Sequence, residues 1–269
     1  LIESFKNFAL NLKDEKNFIE NLKKAREKII NESYEVMTIN TINFVIHDLE
    51  KNKGNLDELK EILIKDIEKI LKQKKDAEEK IYEFTENLIF DGAKILTHCY
   101  SKTVLNSIKR AKEKGKNFIV INTETRPNLT GRLTSKFLNE LNIKNIHISD
   151  FGISRIINDI DFVLIGCDAI DENGIINKIG SNVISIVANF YNKKFYVLCD
   201  SLKFCKGCKE KYLKKKRKSE EIWDIKNENI FIENFAYDFV EKNNISGIIS
   251  EYGKLCFDET IEKFKQKIL

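Results

Sequence analysis

From Asp91 onward, short apolar runs alternate with helical stretches, and this alternation limits the possible folds more than any other feature of the chain. Residues 94–97, 118–121, 145–148, 162–165, 195–198 and 247–250 read as strands. Residues 102–114, 135–141, 153–157 and 181–191 read as helices between them, and 259–267 as a closing helix. Strand, helix, strand repeats with short links predict an α/β fold: a mainly parallel sheet with helices on both faces. Ligands of such sheets gather outside the carboxyl ends of the strands.

Before Asp91 the pattern is different. Residues 1–90 carry almost no strand signal, and Gly54 is their only glycine. Asn55 can cap a helix, with Glu58 three residues on to complete a capping box. Leu56, Leu59, Leu63, Ile67, Ile70, Ala77, Ile81, Phe84 and Leu88 follow at threes and fours, one apolar stripe along a long helix. The stripe serves either a helix lying on its own domain or one that also packs on another subunit. The expected organisation is a helical domain over 1–90 and an α/β domain over 91–269.

Composition excludes some classes. The 46 basic and 42 acidic residues nearly cancel, so the net charge of +4 gives no electrostatic case for direct nucleic-acid or membrane binding. No apolar run reaches the roughly 18 residues that suggest a membrane span. Residues 1–12 are amphipathic and lack the continuous apolar core of a signal peptide. The six cysteines show no disulfide-scaffold spacing, which points to a reducing, cytoplasmic setting.

The strand-end rule brings several polar segments together: 97–102, 123–127, 166–168 with 172–181, and 200–203. Ser101 precedes a helix, so its hydroxyl and the first free N–H groups point into the mouth, with Lys102 beside them. Arg126 can grip a phosphate bidentately. Asn177 and Lys178 add an amide and a charge before Gly180, which permits close backbone approach. Cys99 and Asp168 end two different strands. A thiol near a helix N-terminus and basic groups is expected to have a lowered pKa. Asp168 can shuttle a proton, so the pair could interconvert an aldose and a ketose. Taken singly, a strand-end cysteine is more often a small buried hydrophobe and a strand-end aspartate a cap. The coincidence of Arg126, Asp168, Asn177 and Lys178 favours an anion site without establishing catalysis.

The remaining motifs are weaker. Cys205 and Cys208 have CxxC spacing but no second pair or nearby histidine to complete a zinc site, so no metal and no cofactor is expected. The run Lys214–Lys218 reads as a solvated loop or a basic patch. Of His47, His98 and His147, only His98 belongs at the site.

At these loops the sequence resembles the alpha/beta/delta regulatory-subunit family of eukaryotic translation initiation factor 2B. The resemblance rests on 91–101 (DGAKILTHCYS), 123–131 (TETRPNLTG), 172–182 (ENGIINKIGSN) and 195–204 (FYVLCDSLKF), and it spans the α/β domain. That family shares a Rossmann-like fold with methylthioribose-1-phosphate and ribose-1,5-bisphosphate isomerases. Tyr100-Ser101, 127–131, Gly180-Ser181-Asn182, Phe195-Tyr196-Val197, the opening 1–6 and the single helix after Gly253 resemble the alpha subunit. Arg26 is the only arginine of the N-terminal part, and no glycine follows it as in the isomerases' phosphate-holding Arg-Gly motif. Cys99 and Asp168, however, match the isomerases' catalytic pair. The resemblance thus implies a regulatory alpha subunit that keeps an ancestral sugar-phosphate pocket and is not itself an enzyme. It implies a homodimer through the α/β domain, the other factor 2B subunits and phosphorylated initiation factor 2 as partners, and a role in guanine-nucleotide exchange regulation. The alternative is a sugar-phosphate aldose–ketose isomerase using Cys99 and Asp168.

Overall fold

The computed structural model describes residues 1–14, 16–33 and 35–268. The chain separates into two compact units, Leu1–Ala77 and Glu78–Leu269.

The first unit holds α1 (Ile2–Asn11), α2 (Phe18–Glu32), α3 (Val36–Lys51) and most of α4 (Leu56–Leu88). Its core is Phe5, Phe18, Leu22, Val45, Leu49 and Leu63, all buried. The capping box forms as read: Glu58 N donates to Asn55 Oδ1 at 3.0 Å and Asn55 N to Glu58 Oε2 at 2.9 Å. Lys60 Nζ donates to the carbonyls of Leu10 and Leu12 at 2.9 and 2.7 Å, satisfying orphan acceptors at the end of α1.

Asp66 is buried in this unit, and its Oδ2 has no hydrogen-bond partner. Burial, reinforced by Asp48, pushes its carboxyl up to about 6 against the counter-pull of Lys69 and Lys65. The folded state therefore holds a proton that the unfolded chain releases near pH 4, and stability falls as pH rises from about 4 to 6. Asp66→Asn should raise stability at pH 7.5 by about 1–2 kcal/mol and leave it unchanged near pH 4, as measured by thermal melts at the two pH values.

The second unit follows in the order β1 (Lys94–Thr97), α5 (Lys102–Glu113), β2 (Ile119–Thr123), α6 (Thr130–Glu140), β3 (Lys144–Ile148), α7 (Ile153–Ile156), β4 (Phe162–Ile165), β5 (Ala169–Asp171), β6 (Gly174–Lys178), α8 (Ser181–Phe190), β7 (Lys194–Leu198), α9 (Lys209–Leu213), β8 (Tyr237–Glu241), β9 (Gly247–Ser250), β10 (Gly253–Leu255) and α10 (Phe257–Ile268). The main sheet runs β10-β9-β7-β4-β1-β2-β3, parallel except for the antiparallel edge strand β10. Successive strand residues face opposite sides. Val163 and Ile165 pack with Ile184 of α8 and Phe264 of α10, whereas Phe162 and Leu164 pack with Ile108 of α5 and Leu138 of α6. The mainly parallel sheet with helices on both faces is thus present.

Two details depart from the sequence reading. The segment 172–181, read as a strand-end loop, contains β6. With β5 and β8 this strand forms a separate antiparallel sheet, β5-β6-β8. Helix α6 starts at Thr130 rather than 135, directly after Leu129 turns through the left-handed region at φ 60°. Chain order also reverses at the centre of the sheet, where β1 leads to β2 on one side and β4 lies on the other. The crevice above this switch is where parallel sheets bind ligands. No helix among the described residues is long and apolar enough to cross a membrane.

Candidate functional site

The site is built above the carboxyl ends of β1, β2 and β4. Past β1 the chain turns sharply at Cys99, whose φ is 67°. Three threonines from the β2–α6 connection and α6 hold this turn. Cys99 N donates to Thr125 Oγ1 at 3.0 Å, Thr134 Oγ1 donates to Cys99 O at 2.7 Å, and Cys99 Sγ lies 3.3 Å from Thr130 Oγ1. Thr125 is itself left-handed at φ 61°. The carboxylate of Asp150, past β3, clamps that connection by accepting from Thr125 N and Arg126 N, each at 2.7 Å.

His98 is a structural tie under the site. It is buried, with Nδ1 2.6 Å from Thr123 Oγ1 and Nε2 2.8 Å from the Ile179 carbonyl. A carbonyl only accepts, so Nε2 carries the proton and Nδ1 accepts from the threonine. Burial lowers its pKa and favours this neutral form, although the Ile179 contact and the Asp150 and Asp238 carboxylates pull the other way. Gly180, at φ 101°, lies flat over the ring. A Cβ there would come within 3.0 Å of His98 Cε1. Asp238 of β8 accepts from Gly180 N at 2.8 Å and Asn182 N at 3.0 Å, which fixes the start of α8.

Cys99 and Asp168 both act electrostatically on Lys178, and Lys178 and Asp168 on Cys99. Asp168 follows β4 and is exposed. Lost hydration raises its pKa, opposed by Lys203, Lys178 and Lys215. Lys178 closes β6, and its Nζ donates to Asn128 Oδ1 at 2.9 Å. Burial and Arg217 lower its pKa, while Cys99 and Asp168 hold it up. Burial also raises the pKa of Cys99, and the hydrogen bond from Thr130 and the charge of Lys178 do not offset this. The lowered thiol pKa expected from the sequence is therefore corrected: burial raises it, which favours the protonated thiol. Its nearest basic neighbour is itself desolvated, and Asp168 opposes the thiolate.

The other predicted residues are placed less centrally. Ser101 caps α5, accepting from Val104 N at 3.4 Å, and fits against Gly166, where a Cβ would stand 2.2 Å from its Oγ. Asn177 is buried, and its Nδ2 donates to Ser181 Oγ at 2.9 Å, so it braces α8. Lys102 is exposed. The Arg126 side chain is 60% exposed and lies 3.5 Å from Glu124. Residues not singled out from the sequence do much of the positioning: Asp150, Asp238, the threonines and Lys203. Lys203 Nζ donates to Cys167 O at 2.8 Å. Burial acts to lower its pKa, but Asp200 and the neighbouring thiols and Asp168 raise it, so it stays charged. Asp150 was accessible to the strand-end rule, since it follows β3. Asp238 carried no such signal.

Cys205 and Cys208 face each other through a 3.0 Å contact of the Cys208 thiol with Cys205 O. Among the described residues, no group of three or more His, Cys, Asp or Glu is arranged to hold a metal ion. The strand-end residues carry lysine charge, a thiol and a carboxylate, groups that can bind an anionic, hydroxylated ligand.

Comparison with known proteins agrees with this architecture. The model of the initiation factor 2 subunit family matches residues 1–256. Translation initiation factor eIF2B subunit alpha of Dictyostelium discoideum is 41% identical over 167 residues, 62% of this chain and 52% of that protein. The chain thus spans about half the length of that relative. Ribose 1,5-bisphosphate isomerase of Archaeoglobus fulgidus is 32% identical over 259 residues, 94% of this chain and 82% of the isomerase. The crystal structure of the Pyrococcus horikoshii OT3 translation initiation factor eIF-2B superposes with a TM-score of 0.82 at 25% identity, covering 97% of this chain and 90% of that one.

Proposed function

The chain belongs to the initiation factor 2 subunit family, and from that premise we propose that it is an alpha-type regulatory subunit of the factor 2B guanine-nucleotide exchange assembly. The observation that supports this reading is the 41% identity to an alpha subunit over 62% of the chain; the isomerase, at 32% over 94% of it, stands equally close. Its pocket holds a sugar phosphate as a stabilising or regulatory ligand. Lys178 and Lys203, with Ser101, Lys102, Arg126 and Asn177 around the mouth, make the anion-binding set. The protonated Cys99 fits a binding role better than a nucleophilic one.

On this reading the chain acts in the cytoplasm as a homodimer through its α/β domain, bridges the other factor 2B subunits and senses phosphorylated initiation factor 2. The outer face of α8 supports the dimer: Val183, Ile186 and Phe190 form a stripe at 52%, 51% and 78% exposure, and solvated apolar stripes of this kind mark contact surfaces. Phe190→Asp should shift the protein from dimer to monomer in sedimentation, and a wild-type monomer would count against the assembly. The decisive experiment is co-purification from the source cell, which should recover the other factor 2B subunits. Recovery only as a free homo-oligomer would overturn the reading.

One observation favours a second reading. The isomerase identity runs through nearly the whole chain, at 32% over 259 residues. As an isomerase, Asp168 and Cys99 would move a proton from one sugar carbon to its neighbour while the hydroxyl proton of the first passes to the carbonyl oxygen of the second, leaving no net gain or loss. Purified protein should then turn over ribose 1,5-bisphosphate or methylthioribose 1-phosphate, and Cys99→Ser should slow turnover by about 100-fold or more. Absence of turnover, or full activity in Cys99→Ser, would remove this reading.

A further inference from the structure

We propose that Cys205 and Cys208 form a reversible dithiol–disulfide site that exchanges with small thiol disulfides. Cys205 is the attacking thiol, Cys208 the resolving thiol, and Asp171 the group that takes the resolving thiol's proton. The site is independent of both readings given above for Cys99, Asp168 and Lys178.

Of the six free thiols, two pairs lie close together, and they differ in access. Cys167 and Cys199 bring their sulfurs to 3.3 Å, but both are buried, and burial drives the Cys199 thiol well up. A thiol shut away in this manner is inert. Cys205 is half-buried and therefore reachable, while Cys208 is buried. The turn between them passes through Gly207 at φ 71°, with open space where a Cβ would stand. It carries the Cys208 thiol back to 3.0 Å from Cys205 O. Hydrogen bonding from that thiol lowers the pKa of Cys205, with Lys211 acting in the same sense against burial and Asp171. The same bond, together with burial, raises the pKa of Cys208. One thiol of the pair is thus an accessible nucleophile and the other a protected acid, the division of roles that thiol–disulfide exchange needs.

Asp171 supplies the second observation. Phe204 bridges parallel to Ile170, and Cys205 N donates to Ile170 O at 2.9 Å, so the chain entering the turn lies along β5, which Asp171 closes. Asp171 is 6% exposed, and its Oδ2 has no hydrogen-bond partner among the described residues. Its charge acts on both thiols. A buried carboxylate oxygen left unpaired is costly, and a thiol proton delivered to it removes the cost. The exchange then runs in two steps. The Cys205 thiolate attacks one sulfur of the external disulfide, that S–S bond breaks, and the departing thiolate takes a proton from solvent. Cys208 gives its proton to Asp171 and attacks the Cys205 sulfur, and the second external thiol leaves with the proton that Asp171 held. The protein loses two electrons and the external disulfide gains them, so two protein thiols become one disulfide and one external disulfide becomes two thiols.

The test is incubation of the full chain with glutathione disulfide, followed by acid quenching, alkylation and peptide mass mapping over time. Cys256, the exposed thiol, shows that the reagent is active. In the wild-type chain the peptides of Cys205 and Cys208 should become linked and lighter by two hydrogens, and excess reduced glutathione should restore both thiols. Cys208→Ser should hold glutathione on Cys205, and Cys205→Ser should leave Cys208 a thiol. Asp171→Asn should slow closure about tenfold or more, so that glutathione accumulates on Cys205. Each variant is first checked for a wild-type melt, and the wild-type readout needs no variant. A wild-type chain whose Cys205 and Cys208 stay unlinked while Cys256 is modified, or a Cys208→Ser chain whose Cys205 stays a thiol, would overturn the site. Closure at the wild-type rate in Asp171→Asn would overturn the role of the carboxylate.

Discussion

Gly131→Ala should destabilise the α/β unit by about 3 kcal/mol or more, lowering its melting temperature by about 6–12 °C. Gly131 lies in the first turn of α6, pressed against the end of β2. A Cβ there would sit 1.8 Å from Thr123 O and 2.9 Å from the Glu124 carbonyl carbon. Both obstacles are backbone, so no side chain can swing away, and α6 must move off the sheet. That movement would also disturb the bond from Asn122 Nδ2 to Gly131 O at 2.8 Å and the seat of Thr130 against Cys99 at 3.3 Å. Gly92→Ala is the natural control. Gly92 has open space around it and a φ of 85°, so alanine there costs only the roughly 1 kcal/mol of a left-handed residue. A Gly131→Ala protein that melts like the Gly92→Ala protein would show that the β2–α6 contact is looser than described.

The second large effect is expected at Asp150. Asp150→Ala removes the acceptor of two main-chain N–H groups at once, those of Thr125 and Arg126. A buried donor left without its partner costs about 1–3 kcal/mol, and since water can replace the acceptor at the exposed Arg126 N, the loss should reach about 1–3 kcal/mol, mostly through Thr125 N. Thr125 is held in a left-handed conformation, and without the clamp it has reason to relax. Its hydroxyl would leave Cys99 N, and sugar-phosphate binding should fall along with stability. Asp150→Asn keeps the shape and one acceptor oxygen and should lose about half as much. Calorimetric melts and ligand titration on both variants measure the two effects, and equal behaviour of Ala and Asn would argue against the clamp.

The strands of the main sheet were legible because each is a compact apolar run between helices. Residues 162–165 and 247–250 are β4 and β9 to the residue. The antiparallel sheet was not legible. Ala169–Asp171 is only three residues long, Gly174–Lys178 looks like loop with its glycine and asparagine, and their partner Tyr237–Glu241 lies some 60 residues downstream. The same reason hid Asp238, which reaches Gly180 across that pairing. Cys99, Asp168 and Lys178 were singled out because they lie at or just past strand ends, which topology alone brings to one side of the sheet. The thiol's pKa was misjudged because sequence shows the neighbouring charges and not the burial that outweighs them.

The sheet order also has a consequence during synthesis. β1 pairs with β4, and Lys94 N donates to Asp161 at 2.7 Å across 67 residues, while the start of α8 waits for Asp238, 58 residues beyond Gly180. Pairings this distant form late, and chains that need them fold slowly. A nascent chain that has left the ribosome only as far as β7 has the strands under the pocket but not the carboxylate that seats Gly180 over His98. Such a chain cannot yet close the crevice. A ligand of this pocket would therefore bind completed chains and ignore unfinished ones, adding its binding energy only when synthesis has passed β8.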